Sequence, residues 1–268
     1  MNRITFILLL SLLSIHQCYV ASAITTVDKL IFQGKEIRLL ANPLDDLPQD
    51  SSRIRIDREK KECLKQDCWK GYQAEWTIID NQLYLTAIYG CCFTETGKKS
   101  DLEYIFGDKV INGRVKADWV TGLYFAEDKY LFSVYDYTVY KTEFKFQFRT
   151  GRLTDVETYD NSRSRSSIYC GDSRKLFEYI YSNIRWHALP DVNTDSSRVF
   201  VSFSANEEGL IDSVQVLRGR NSIFNQEVIR VIKSIPGWCV LYQKGQFKRI
   251  HYNYPIAFNR ELFERYKK

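Results

Sequence analysis

Two histidines and six cysteines are the side chains of this sequence best suited to acid–base, nucleophilic or metal chemistry once its N-terminal segment is set aside. His187 and His251 stand in no Gly-x-Ser-x-Gly, His-Glu-x-x-His or Gly-rich phosphate pattern, because the chain contains none of these. Cys239 and His251 share the second half and could form a nucleophile–base pair, yet no local pattern supports one. Hydrolysis by two carboxylates leaves no readable motif. The expectation is therefore a protein that is not an enzyme, with no catalytic residue and no cofactor. Cys63, Cys68, Cys91 and Cys92 crowd one region, and Cys170 and Cys239 follow. Adjacent cysteines suit a single tetrahedral zinc site poorly, and no histidine lies near them, so no metal is expected. A structural bridge between the two early pairs is the stronger reading, although six cysteines allow about 15 connectivities and the sequence does not choose among them. Cys170 and Cys239 either pair or serve as small buried hydrophobes.

The even cysteine count follows from the N-terminus. Arg3 supplies a positive charge, residues 4–13 are apolar apart from Thr5 and Ser11, and Ala21-Ser22-Ala23 has the small-x-small form of a cleavage site. The apolar run is half the roughly 20 residues that a membrane-spanning helix needs. Residues 1–23 thus read as a signal peptide cleaved after Ala23, which removes His16 and Cys18 and sends the protein to the periplasm or out of the cell, where disulfides persist. An uncleaved membrane anchor is the alternative. Lipidation at Cys18 is weaker, since Ile15-His16-Gln17 lacks the small residues that usually precede such a site.

Composition limits the partners. Hydrophobic residues make up 44% and charged residues 26% of the chain, which excludes global disorder. A formal charge of +5, with no dense Lys/Arg run, gives no reason to expect nucleic acid. From residue 171 onward, 15 basic residues face 10 acidic ones, whereas residues 24–170 are nearly balanced, so the positive charge belongs to the second half. The 18 Tyr, 16 Phe and 5 Trp against a single Met lean towards β structure.

The elements that must position these residues form an α+β chain in two parts. Residues 24–154 read as an aromatic-rich, mainly-β domain. Trp76-Thr77-Ile78-Ile79, the turn Asp80-Asn81 and Leu83-Tyr84-Leu85 predict a hairpin. Residues 116–120 around Trp119 read as another strand, and Phe144-Lys145-Phe146-Gln147-Phe148 alternates until Gly151 closes it. Such short strands suggest a sandwich or a curved sheet, with the aromatics as core and cross-strand pairs or as a ligand platform. Residues 155–170 read as a linker, because 155–167 hold one Val and one Tyr as their only apolar residues. Residues 171–268 then predict a helix around Leu176–Ile184, strands at Val199–Phe203 and Ile211–Val216 joined by Asn206-Glu207-Glu208-Gly209, a helix over 221–235 stopped by Pro236-Gly237, and an extended segment over 247–258. Two helices on a small antiparallel sheet are expected there.

Residues 76–151 are similar to an N-terminal module of exported proteins of Bacteroidetes-type bacteria, from which no activity carries over. The last third is more specific. Val199-x-Val201-x-Phe203, Glu208-Gly209-x-Ile211-x-x-Val214-x-Val216, Asn225-x-Glu227, Arg230-Val231-Ile232, Ile235-Pro236-Gly237-Trp238, Gly245 and Tyr254-Pro255-Ile256-x-Phe258 together resemble the TonB family C-terminal domain over about residues 174–258. Two departures fall in loops: Cys239-Val240-Leu241 stands where a Pro usually follows the Trp, and residues 191–197 lack the usual Gly. The resemblance implies that the last strand is an exposed edge onto which an envelope protein, such as an extended segment of an outer-membrane transporter, adds as a further strand. The residues expected to bind are Lys248, Arg249, Ile250, His251, Tyr252, Asn253 and Tyr254, and a homodimer stays open as a further partner. A TonB energy transducer needs an inner-membrane helix and a Pro-rich spacer. The five prolines here are scattered singly, so the tethered transducer is the alternative rather than the preferred reading.

Overall fold

A computed structural model of the chain describes residues 26–48, 68, 70–90, 99–190, 197–219 and 221–267. The expected signal peptide over 1–23 lies outside these residues, as do Cys63, Cys91 and Cys92. The architecture is mixed α+β. In the first part, β1 (Asp28–Phe32), β2 (Lys35–Leu39), β3 (Tyr72–Ile79), β4 (Gln82–Gly90), β5 (Val110–Ile111), β6 (Arg114–Lys116), β7 (Gly122–Val134), β8 (Tyr137–Arg149) and β9 (Arg152–Asp160) form one sheet, with α1 (Leu102–Phe106) before β5. Its order is β3-β1-β2-β7-β8-β9-β4-β6-β5, and a further β3–β4 pairing bends the sheet into a closed ring. The curved sheet of the sequence reading is therefore a rolled one, and β1 and β2 are strands that the alternation left unassigned.

Tight turns drive the rolling. Asp80 and Asn81 both take left-handed φ values (51° and 61°), as do the pairs Asn112–Gly113 and Thr150–Gly151. Such two-residue turns carry the right-handed twist of the flanking strands. Gly151 also makes the closure. Its N–H donates to Val120 O at 2.7 Å and its carbonyl accepts from Leu83 at 2.8 Å, which joins the β8–β9 turn to β4. A Cβ at this position would sit 2.4 Å from Ala117 O, so only glycine lets the chains approach this closely. The strand expected over 116–120 ends at Lys116 for the same reason: the backbone turns at Ala117, whose carbonyl accepts from Val120, to meet Gly151.

Inside the ring, Trp76, Leu30, Leu85, Ile105 and Phe146 are fully buried. Among them sits a charge. Asp28 is wholly inaccessible and pairs with Lys70, also buried. The carboxylate further accepts from Trp76 Nε1 at 2.9 Å and from the Ala74 amide at 3.0 Å, while Lys70 donates to Asn42 Oδ1 at 2.7 Å. Burial pushes the Asp28 carboxyl up, and Lys70, Trp76 and Ala74 oppose that rise. One side chain thereby ties β1 to β3 and to the segment after β2.

The second part places α2 (Ile168–Gly171), α3 (Ser173–Asn183), β10 (Ser197–Ala205), β11 (Ile211–Arg218), α4 (Ser222–Lys233), β12 (Tyr242–Gln243), β13 (Gln246–Phe247), β14 (Tyr252–Phe258) and α5 (Arg260–Tyr266) in order. The helices start on side-chain caps: Asp172 for α3, Asn221 for α4 and Asn259 for α5 each accept from backbone N–H groups of the first turn. Helices α3 and α4 cover one face of an antiparallel sheet ordered β11-β10-β14, with Leu176, Ile180, Phe224, Val228 and Ile232 packed against Val199, Val201, Phe203 and Ile256.

The stretch read as a linker departs from expectation. It runs as β9 as far as Asp160, paired along β8. Residues 161–167 are then pinned to the last third, with Arg165 and Val240 exchanging two backbone hydrogen bonds of 3.0 Å and Ser164 Oγ accepting from Tyr242. Polar composition misled because these residues are held by hydrogen bonds rather than by apolar burial. The long β7–β8 hairpin crosses the same way, and Val134 and Val139 at its tip belong to the core under β10 and β14. Cys170 and Cys239 stand at disulfide distance, their Cα atoms 6.1 Å apart.

Replacing Lys70 with Met strands the Asp28 carboxylate without its counter-charge. The expected loss is about 3–5 kcal/mol of unfolding free energy in urea titration, and an unchanged midpoint would show that the pair contributes nothing.

Candidate functional site

The candidate site is the margin of the second sheet, because β10 alone is paired on both sides. Strand β14 pairs with β10 in the register Ser197–Phe258, Val199–Ile256, Val201–Tyr254 and Phe203–Tyr252. Its side chains alternate accordingly: Tyr252, Ile256 and Phe258 are buried on the helix side, and Asn253 and Pro255 are exposed.

The backbone of β14 tells more. The Ala257 amide donates to the Tyr181 hydroxyl at 2.9 Å, so Ala257 turns its N–H away from β10. Residues of the same parity, Asn253 and Pro255, do likewise. Pro255 has no N–H to offer, and that of Ala257 is taken by α3. Asn253 is left as the one residue of β14 that presents both a donor and an acceptor outward. A proline and a capping hydroxyl are two of the ways in which proteins close a sheet edge. The extended segment expected over 247–258, with its proline at the end, is thus shorter and blunter, and Pro255 lies within the strand.

The seven residues expected at this edge separate in the structure. Tyr252, Asn253 and Tyr254 lie in β14, but Tyr252 is buried against Trp238 and Phe203, with ring centroids 5.1 and 5.8 Å away. Lys248, Arg249, Ile250 and His251 precede the strand. The Lys248 amide turns back to Leu241 O at 2.8 Å. Arg249 makes a bidentate pair with Asp212 on β11, at 2.6 and 2.9 Å, and also donates to Ser204 Oγ. Ile250 packs on the core, and His251 is exposed. Arg249 is therefore a clamp across the sheet. The β7–β8 tip adds a residue that sequence reasoning missed: Tyr135 rests on Tyr252 with centroids 5.1 Å apart. No local pattern signals that contact, since 117 positions separate the two rings.

The opposite margin is different. With Val201 and Phe203 facing β14, Ser202 and Ser204 face β11, where they pair with Gln215 and Ser213. Val214 and Val216 consequently direct their N–H and C=O groups outward, and β11 carries no proline. Register shifts next to Val201 and Ala205 bound this open stretch at both ends.

Among the described residues, no group of three or more His, Cys, Asp or Glu could hold a metal ion. Cys68 is bridged. The Cys239 sulfur sits against Cys170, so the thiol that a Cys239–His251 pair would need is engaged. No protein family, no curated protein and no solved structure matches this chain.

Burial pushes the Tyr252 hydroxyl up to about 12 from an ordinary 10.0. A phenol with a folded value above its unfolded one contributes fully below the unfolded value and loses that contribution as pH rises through the folded one. Stability in urea titrations is expected to hold up to about pH 10 and to fall towards about pH 12, less steeply in Tyr252→Phe. Equal decline in both proteins would place the titrating group elsewhere. For the cap, Tyr181→Phe is expected to cost about 1 kcal/mol and to speed hydrogen exchange at the Ala257 amide. Unchanged exchange there would mean that the hydroxyl does not close the edge.

Proposed function

We propose that this is a non-enzymatic, exported binding protein whose last third is TonB-like and captures an extended segment of an envelope protein, such as an outer-membrane transporter, by adding it to the small sheet as a further strand. The observation that supports this reading is the backbone of β11: Val214 and Val216 point donors and acceptors outward with no proline to interrupt them. Each added backbone hydrogen bond contributes about 1 kcal/mol net, so a segment spanning these residues binds reversibly. The β14 edge, the location implied by the family resemblance, offers Asn253 alone as a two-way contact. The β11 margin is therefore the preferred seat.

Export rests on the residues before Ile24, and a bridged Cys68 together with the Cys170–Cys239 pair fits an oxidising compartment. No described helix is long and apolar enough to cross a membrane. The two halves are held by the pinned segment 161–167 and by the hairpin tip, so the captured segment would engage one firmly joined body rather than a tethered module.

Proline scanning distinguishes the edges. Val216→Pro and Asn253→Pro each remove an outward N–H while keeping the bonds to β10, so both proteins are expected to stay folded. Photo-crosslinking from Gln215 in the bacterial envelope, with mass spectrometry of the product, is expected to lose its partner band in Val216→Pro and to keep it in Asn253→Pro. Loss in Asn253→Pro alone would return the site to β14. Retention in both folded variants would overturn strand addition.

A further inference from the structure

The outer face of the second sheet, opposite α3 and α4, carries a cleft of about 440 Å³ where β10 begins and β11 and β14 finish. Arg198, Phe200, Arg218, Ala257 and Asn259 are among its lining residues. The register explains how they meet. Phe200 stands opposite Arg218 on one side and Pro255 on the other, and Arg198 stands opposite Ala257. Arg198 and Phe200 are two positions apart on β10 and share this face, which makes Arg198 and Arg218 diagonal cross-strand neighbours.

These two arginines differ from others of the second half. Arg249 is held by Asp212, Arg230 by Glu227 and Arg265 by Glu178. Among the described residues, neither Arg198 nor Arg218 has a salt bridge or a side-chain hydrogen bond. Both side chains are exposed, and Phe200 lies half-buried between them. Like charges at neighbouring sheet positions repel one another, and the repulsion is relieved when an anion joins them. A guanidinium receives a carboxylate in fork geometry, and Phe200 offers an apolar floor for the methylenes of the incoming side chain.

The spacing selects among anions. Diagonal cross-strand neighbours lie about 7–8 Å apart. In an extended peptide, residues i and i+2 project on the same side about 6.6 Å apart. We infer that this cleft binds an extended acidic peptide segment, with two carboxylates two positions apart, one on Arg198 and the other on Arg218. The contact uses side chains of the sheet face and no edge backbone, so it stands or falls separately from strand addition: Val216→Pro leaves it intact.

The test is fluorescence anisotropy of the full chain with a labelled Gly-Ser-Glu-Ser-Glu-Ser-Gly peptide at low ionic strength. The peptide with Gln in place of both Glu and inorganic phosphate serve as competing probes. The Glu peptide is expected to bind, the Gln peptide to bind at least about fivefold more weakly, and each of R198Q and R218Q to weaken the Glu peptide about three- to fivefold, as partly exposed ion pairs do. R198Q/R218Q is expected to lose more than either single variant. R149Q/R152Q, which removes the same charge from the other sheet, is expected to bind as the unaltered chain does. Circular dichroism checks that the variants keep the fold. Equal binding by R198Q/R218Q, equal loss in R149Q/R152Q, equal affinity for the Gln peptide, or binding of phosphate without binding of the Glu peptide would each overturn the inference.

Discussion

A strand that has a neighbour on one side only carries a row of backbone donors and acceptors that something must satisfy, and this constraint organises the molecule. The first sheet meets it by closure. The β3–β4 pairing and the Gly151 contacts bring the ends of the sheet together. Where a β3 amide lacks a strand partner, at Ala74 beside the register shift of Glu75 and Trp76, the Asp28 carboxylate accepts from it. The second sheet is too small to close. It blunts one margin with Pro255 and Tyr181 and leaves the other open at Val214 and Val216. The same physics that completes the first sheet thus leaves outward-facing backbone groups on one margin of the second.

The buried Asp28–Lys70 pair belongs to this logic. A buried charge is tolerated when every lone pair finds a donor, and here the donors come from Lys70, Trp76 and Ala74. Its role is to hold strand β1 against β3 in one register. The two cores are joined by interactions of a different kind. Val134 and Val139 enter the second core from the first sheet, and the polar segment 161–167 exchanges backbone bonds with residues near Val240. The small sheet is accordingly presented on a firm support.

Charge follows the same division. Arginines of the second half fall on both sides of this division. Arg230, Arg249 and Arg265 are consumed by internal pairs, and Arg249 braces β11 through Asp212. Arg198 and Arg218 are left facing solvent across a cleft. Counting charges shows the surplus but not which guanidinium groups are already engaged.

Much of the second half was legible in the amino-acid order. The apolar spacing of Leu176–Ile180 and Phe224–Val228–Ile232, the Pro236-Gly237 stop and the Asn206–Gly209 turn are local signals, and helices and hairpins obey local rules. In the first half, Asp80-Asn81 and the Phe144–Phe148 alternation were equally direct, while α1 and the strands β1 and β2 went unread for want of a strong period, as did α5 at the other end of the chain. At the margins of the small sheet the amino-acid order showed residue types rather than backbone directions. A strand-forming run and a proline could be recognised, but the direction in which each N–H points depends on which neighbour pairs first. That is decided by the register of β10 with β14 and by a tyrosine 76 positions away on α3. The fate of Arg249, the depth of Tyr252, the hairpin tip under β14 and the closure at Gly151 are likewise non-local. Periodicity and turn chemistry reside in neighbouring residues and are written in the sequence, whereas the satisfaction of backbone groups and charges at an edge is settled only when distant segments meet.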